Sequence, residues 1–395
     1  MAEQFKYIVI GGGMMGAAAA RHLSEKSDGV LLIGPSEPAD YQAHEGVFAS
    51  HYDEARITRR FDADALWATF AWRSIDRYRE IEEMSGIRFY SEVGCLFAGP
   101  QPRSGADYLH RATDVARSMG LSHHRLNQAE LTARFGQFSF PSHLVGYYED
   151  ANAGHINPRA LVRAQSALAI RQGTKHVEAV ATAIHEDERR VRVDTTVGSY
   201  EGERVLIAAG AFSNFHNLLP RPLDMRAAPR TVVFFQLDEK ALSLFSAMPS
   251  TIVFTEREED HVYILPPVRY PDGKVYLKLG GDIESRRFTS VTELQTWFRT
   301  TGDPAEAGRL ADIALQLMPG LAGCRTSSAA CVAAFTPTGR PYAGYLPGSQ
   351  VAVLTGGNFV AAKSSDELGR LGAALMSEGC LGDADFGPLM TPAFQ

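Results

Sequence analysis

The chain is poor in cysteine, has no cluster of positive charge and contains no long apolar run. Its 39 Lys and Arg against 46 Asp and Glu leave a formal net charge of −7 over 395 residues. With no block of Lys or Arg in it, a nucleic-acid-binding surface is not expected. The four cysteines, Cys95, Cys324, Cys331 and Cys380, form no CxxC and no paired framework, which favours a reducing cytoplasm over secretion. The longest weakly polar stretch, Tyr7 to Ala20, is closed by Lys6 and Arg21. It falls short of the ~20 apolar residues needed to span a bilayer, so no membrane segment is expected. It is glycine-rich and has neither a basic leader nor a cleavage site, so no signal peptide is expected either. The histidines show no H-E-x-x-H, and His123-His124 are adjacent, which is poor ligand geometry; no metal is expected. There is no G-x-S-x-G nucleophile elbow.

What is present is ordinary globular material: 45% hydrophobic and 22% charged residues, enough for two or three domains of roughly 100–200 residues each. Lys6–Ile10 is a short β-branched run ending in Gly11-Gly12-Gly13-Met14-Met15-Gly16. A helix over Ala17–Lys26, a turn at Asp28-Gly29 and a buried strand over Val30–Ile33 complete a βαβ start. Helices are predicted over Ala65–Met84, from Asn157-Pro158 to Arg171, over Ala305–Met318 and from about Lys363 to Ser377. Strands are predicted at Val177–Ile184, Val191–Asp194, Val205–Ala208 and Val351–Thr355. Between these, Thr231–Leu237, Thr251–Phe254, His261–Leu265 and Lys274–Leu279 read as an inserted antiparallel meander. Two interleaved domains follow, with no simple linker.

Gly11, Gly13 and Gly16 spell G-x-G-x-x-G between a strand and a helix. The first glycine permits the tight turn, the second lets backbone approach a pyrophosphate, and the third lets helix pack on strand. The anion then meets the free N–H groups of the helix start; Met14 and Met15, between the glycines, are expected cofactor contacts. The pattern alone does not separate NAD from FAD, and a structural turn would also satisfy it. The acidic residue that normally binds the adenosine ribose is Gly34 here, leaving Ser36 or Glu37 as substitutes. A second strand-to-glycine turn, Val205 to Ser213 with Ala209-Gly210 at its apex, is usual where FAD crosses a domain. An ordinary strand end is the alternative.

In their order along the chain, these segments resemble the D-amino-acid-oxidase-like flavoenzymes, and among them the monomeric sarcosine oxidase and N-methyltryptophan oxidase group. The resemblance implies an α/β fold. A Rossmann-like FAD-binding domain (1–88, 148–223 and 320–395) would be interleaved with an α+β substrate domain (89–147 and 224–319) on a mostly antiparallel sheet. Ser50-His51-Tyr52-Asp53-Glu54-Ala55-Arg56-Ile57-Thr58-Arg59 is similar to the family's S-H-H-G-D-T-R-I-I-R. By that likeness Ser50 and His51 contact the cofactor, Arg56 lies over the flavin, and Arg59 holds a substrate carboxylate through its planar fork. The lysine in Tyr276-Leu277-Lys278-Leu279-Gly280 matches the one that helps dioxygen react with reduced flavin, where a fixed cation stabilises developing negative charge. Ser328-Ala329-Ala330-Cys331 resembles the G-A-A-C whose cysteine carries the flavin as a thioether; a competing register puts Ala333 there, and a buried free cysteine is the bland reading. Thr355-Gly356-Gly357-Asn358-Phe359-Val360-Ala361-Ala362-Lys363 matches the family's T-G-L-S-G-H-G-F-K in length. Lys363 would be the second carboxylate partner, on a helix whose N-terminus faces the flavin C2 carbonyl. The same residues approach a Walker A loop, but Ala362 replaces its second glycine and too little chain follows for a P-loop core.

Val180, in the Val177–Ile184 run, completes the expected cofactor contacts. The resemblance further implies a monomer or weak homo-oligomer that uses FAD and O2. It would oxidise the C–N bond of an amino acid, or of its N-substituted or cyclic derivative, to an imine with release of H2O2. A flavin dehydrogenase using another acceptor and a non-catalytic FAD-binding subunit are the alternatives. The family's pocket tyrosines correspond to Ile264 and Ala333, and its histidine after the lysine strand to Asp282. The expected substrate is therefore bulkier than sarcosine.

Overall fold

The computed structural model describes residues 3–102, 104–105, 107–281, 286–382 and 386–395. Asp282, expected near the substrate, lies outside them. The protein is a mixed α/β fold built on two eight-stranded sheets and a small third one.

The first sheet grows from the opening βαβ unit. Glu3–Ile10 pairs in parallel with Val30–Ile33 on one side and with Gly198–Ile207 on the other. Val351–Thr355 extends it in parallel beyond Gly198–Ile207. Parallel strands covered on both faces read as continuous apolar runs, and Val30–Ile33 and Val351–Thr355 are buried at every position. The helices Met14–Ser24, Pro158–Arg171 and Ser365–Glu378 cover one face. Asn157 caps the second of these by accepting the Ala160 N–H at 2.8 Å, with Pro158 at its first position. The long helix Ala65–Ser85 starts at Asp64, which accepts the Leu66 N–H, and stops at Gly86 in a left-handed conformation.

The run 177–184 is not one strand. Lys175–Val177 lies at one edge of the first sheet and Ala181–Glu186 at the other. The intervening chain crosses the end of the sheet, where Val180 exchanges hydrogen bonds with Thr196.

The second sheet contains the expected meander, Arg226–Gln236, Ser250–Val253, Val262–Arg269 and Val275–Gly281. It also takes Cys95–Pro100 and Leu144–Glu149, which no short-range pattern marked, and Arg325–Phe335 on its far edge. The expected boundaries at 148 and 320 assign part of Leu144–Glu149 and all of Arg325–Phe335 to the first domain, whereas both are strands of the second sheet. Its pairings are antiparallel except that between Ser250–Val253 and Cys95–Pro100. The helix Pro304–Leu317 packs its Leu310, Ala314 and Leu317 on this sheet. The third sheet, Arg56–Thr58 with Gly154–Ile156 and Tyr90–Ser91, lies in the chain between the two large ones. Among the described residues, no helix is long and apolar enough to cross a membrane.

Candidate active site

One cavity of about 1380 Å³ runs from the glycine turn to Lys363. That exceeds the roughly 300–1,000 Å³ of ordinary small-molecule pockets, leaving room for a dinucleotide and a substrate together. Its dinucleotide end is lined by Gly11, Gly13, Met14, Met15, Ser50, His51, Val180, Ala209 and Gly210. Gly16 does not line it; a Cβ there would come within 1.9 Å of the Gly11 carbonyl oxygen, so its glycine serves the helix–strand approach. Gly34 is also explained by contact: a Cβ would lie 2.4 Å from the Gly12 nitrogen. No side chain fits at the position of the ribose-binding acid.

Neither expected substitute takes that place freely. Ser36 is exposed and off the cavity wall. Glu37 is gripped by Arg159 through two hydrogen bonds of 2.6 and 2.7 Å and accepts from Tyr41. His51, on the wall, is pushed down to about 4 by burial, so it is neutral at physiological pH.

At the centre, Arg56 and Cys331 meet across the cavity wall. The guanidinium Nη2 lies 3.8 Å from the Cys331 Sγ and donates to the Ser50 carbonyl at 3.0 Å. Arg56 also forms an ion pair with Asp53. Lys278, expected at the flavin face, is not among the residues lining the cavity. It is 1% exposed, and its Nζ lies 2.5 Å from both the Asp53 Oδ2 and the Ala55 carbonyl oxygen. Burial, and then the nearby Arg56, push its ammonium below the ordinary range; the Asp53 carboxylate paired with it also accepts from the Tyr270 hydroxyl at 2.8 Å. Lys278 therefore reaches the wall only through the carboxylate it shares with Arg56.

At the far end, the expected clamp is assembled with a partner already in it. Arg59 and Lys363 both line the cavity, and both are buried. Asp62 lies between them on the same wall: its Oδ2 is 2.7 Å from the Arg59 Nη1 and 3.0 Å from the Lys363 Nζ. Against its burial, Lys363 and Arg59 hold the Asp62 carboxyl well below the carboxylate range. Burial lowers Lys363 to about 8, with Asp62 opposing. Behind the wall, buried Glu149 accepts the backbone N–H groups of Arg60 and Phe61 at 3.2 and 3.0 Å, holding the turn that carries Arg59 and Asp62; burial raises it to about 7. Lys363 belongs to the 3-10 turn Ala361–Ser364, and the α-helix begins only at Ser365. The expected helix start at Lys363 is thus two residues early.

Gly357, Asn358, Phe359 and Val360 line the cavity as expected, Asn358 and Phe359 with left-handed φ of 49° and 64°. The Asn358 N–H donates to the Ala334 carbonyl at 2.8 Å, and its side chain accepts the Thr336 N–H at 2.9 Å, which holds this strained turn. Ala333 lines the cavity, but Ile264 is wholly buried in the core of the second sheet. Its neighbour Tyr263 faces the site instead and packs edge-on against Phe359 at 5.6 Å. A register shift of one residue reverses the face of a strand residue, and the side chain this strand sends to the cavity is Tyr263.

Asp53, Asp62, Tyr108 and Glu149 carry the site's geometry and were missed in the sequence. Asp53 stands where the similar family segment has glycine, and Asp62 follows Arg59 by three residues in the same loop, but neither position marks its partner in the fold.

The chain is 28% identical to the monomeric sarcosine oxidase of Streptomyces avermitilis over 345 residues, 85% of this chain and 84% of that protein. It is 23% identical to the N-methyl-L-tryptophan oxidase of Citrobacter koseri over 99% of this chain and 96% of that one. The fold matches the open form of NikD, an unusual amino acid oxidase essential for nikkomycin biosynthesis, with a TM-score of 0.78 and 19% identity, covering 99% and 98% of the two chains. Residues 6–375 match the FAD dependent oxidoreductase family, and with its glycine cradle opening into a cavity of dinucleotide size, the chain belongs to that family.

Proposed function

We propose that the protein is an FAD-dependent amine oxidase. It oxidises the C–N bond of an amino acid, or of an N-substituted or cyclic amino-acid derivative, to the imine, with dioxygen reduced to hydrogen peroxide. The observation that carries this reading is the continuity of one cavity from the glycine turn to the buried cations Arg59 and Lys363. The residues present fit the cofactor: the approach of Gly16 to Gly11 keeps the turn tight, and the helix Met14–Ser24 starts on the wall. When bound, FAD supplies the hydride acceptor and the route of electrons to dioxygen.

The chain's own part is placement. Arg59 and Lys363 receive the carboxyl end of the substrate, which sets the amine-bearing carbon at a fixed distance from the cofactor. Trp67, Tyr108, Phe254, Tyr263 and Phe359 form much of the wall around it and exclude water. The amine reacts in its neutral form, so no dedicated base is required. Ala333 on the wall supports a substrate bulkier than sarcosine. Cys331 carries the flavin as a thioether in this reading, which its position on the wall beside Arg56 supports. That no disulfide joins Cys95, Cys324, Cys331 and Cys380 supports a reducing, cytoplasmic setting.

One observation favours a second reading, a dehydrogenase passing electrons to another acceptor: Lys278 is paired with Asp53 and does not face the cavity. An aerobic screen of amino acids and their N-alkyl, cyclic and amide derivatives for peroxide separates the two. Peroxide formed in step with substrate loss supports the oxidase. Substrate loss that requires an added dye and yields no peroxide supports the dehydrogenase.

A further inference from the structure

Two buried cations on a cavity wall ordinarily mark a site for an anion. Here the anion is already supplied by the chain. Asp62 is 4% exposed, and three donors fix it: the Arg59 Nη1 and Lys363 Nζ on its Oδ2, and the Asp64 backbone N–H on its Oδ1 at 3.1 Å. The cations have further internal partners. The Arg59 Nη1 donates to the Phe61 carbonyl at 2.5 Å and its Nη2 to the Tyr108 hydroxyl at 3.2 Å, while the Lys363 Nζ donates to the Trp67 carbonyl at 3.2 Å.

Arg59 and Lys363 contribute two positive charges and Asp62 removes one. Glu149, buried and within electrostatic reach of both cations, removes a second when it ionises. A substrate carboxylate that took over Arg59 and Lys363 would strand Asp62 as a buried, unpaired carboxylate, so the new ion pair would return little more than the old one gave. A neutral carbonyl or hydroxyl oxygen needs only one N–H and leaves Asp62 in place.

We propose that Asp62 determines the substrate class: by engaging Arg59 and Lys363 it fits this end of the cavity to a neutral oxygen-bearing group, a carboxamide, ester or alcohol, in preference to a free carboxylate. The inference rests on the amine-oxidase reading and narrows it to amino-acid derivatives whose carboxyl is masked or reduced.

The test uses the flavin-loaded protein and two probes of one shape, phenylacetate and phenylacetamide, titrated calorimetrically. Wild type binds the amide at least as tightly as the carboxylate. Asp62→Asn keeps the amide affinity but binds phenylacetate more tightly by about tenfold or more, the scale of a hydrogen bond to a charged group. Three results would overturn the proposal: wild type preferring phenylacetate, wild type failing to bind the amide, or a folded Asp62→Asn protein with unchanged phenylacetate affinity. The wild-type comparison stands even if the variant does not fold. Failure of the underlying reading has a different signature: both probes bind as stated, yet no amine of any kind reduces the flavin.

Discussion

Lys278 and Asp53, 225 residues apart in the chain, form a buried ion pair with the Lys278 Nζ 2.5 Å from the Asp53 Oδ2. The pair ties an interior strand of the second sheet to the segment that leads into Arg56 on the cavity wall. Losing Asp53 takes the countercharge from buried Lys278 and from Arg56 together, and breaking a buried pair costs about 3–5 kcal/mol. Asp53→Asn is expected to lower unfolding stability on that scale. Asp53→Asn with Lys278→Met should lose less than the two single losses summed. Urea unfolding of the four proteins measures the coupling, and additive losses would show that the pair contributes nothing.

The same lysine bears on oxygen chemistry. If its charge reaches the reacting oxygen, Lys278→Met slows flavin reoxidation by about 10²–10³, the usual loss for one electrostatic partner. Flavin reduction by substrate should change less, because it depends on placement by Arg59 and Lys363. Stopped-flow measurement of the two half-reactions distinguishes these effects. Equal losses in both would make Lys278 structural, and slow reoxidation already in wild type would point to the dehydrogenase.

Glu149 gives the fold a pH dependence of definite sign. Burial raises it from 4.5 to about 7, so the folded protein keeps a proton that the unfolded chain releases between those values. Its stabilising contribution is full below pH 4.5 and is lost as pH rises to about 7, a decline of about 3 kcal/mol at 1.36 kcal/mol per pH unit. Glu149→Gln should flatten the stability profile in that window. A wild-type profile no steeper than the variant's would contradict the assignment.

Gly34 tests the cofactor end. A Cβ at this position would lie 2.4 Å from the Gly12 nitrogen and 2.8 Å from its Cα, both backbone atoms. Gly34→Ala must displace the glycine turn, and overpacking of this kind costs about 1–3 kcal/mol. FAD retention after dialysis should fall accordingly, as read from the ratio of flavin to protein absorbance. Full retention would mean the turn has slack.

Much of this was legible in the sequence where one segment determines its own structure. The Val30–Ile33 and Val351–Thr355 strands have the expected bounds, because strands buried on both faces are written as unbroken apolar runs. The Asn157-Pro158 helix start carries its own cap and first turn. Other parts depended on partners. Arg325–Phe335 is rich in Ser and Ala and has little β-branching, yet it is a strand along its whole length because Arg226–Gln236 lies beside it. Ile264 and Tyr263 differ only in which face of one strand they occupy, and a single-residue ambiguity exchanges core for cavity. The glycine turns and the two site cations, Arg59 and Lys363, were readable from motifs. The carboxylates that answer the cations were not, since Asp53 meets Lys278 and Asp62 meets Lys363 only after the chain has folded.

The most direct measurement is anaerobic titration of the purified protein with an N-substituted amino-acid amide, followed by visible absorbance. The protein should be yellow with FAD as its tightly held dinucleotide. The flavin band should bleach on addition of the amine and return on admission of oxygen, with peroxide formed in equal amount. A colourless protein that cannot be reconstituted with FAD, or a flavin that no amine bleaches, would contradict the account.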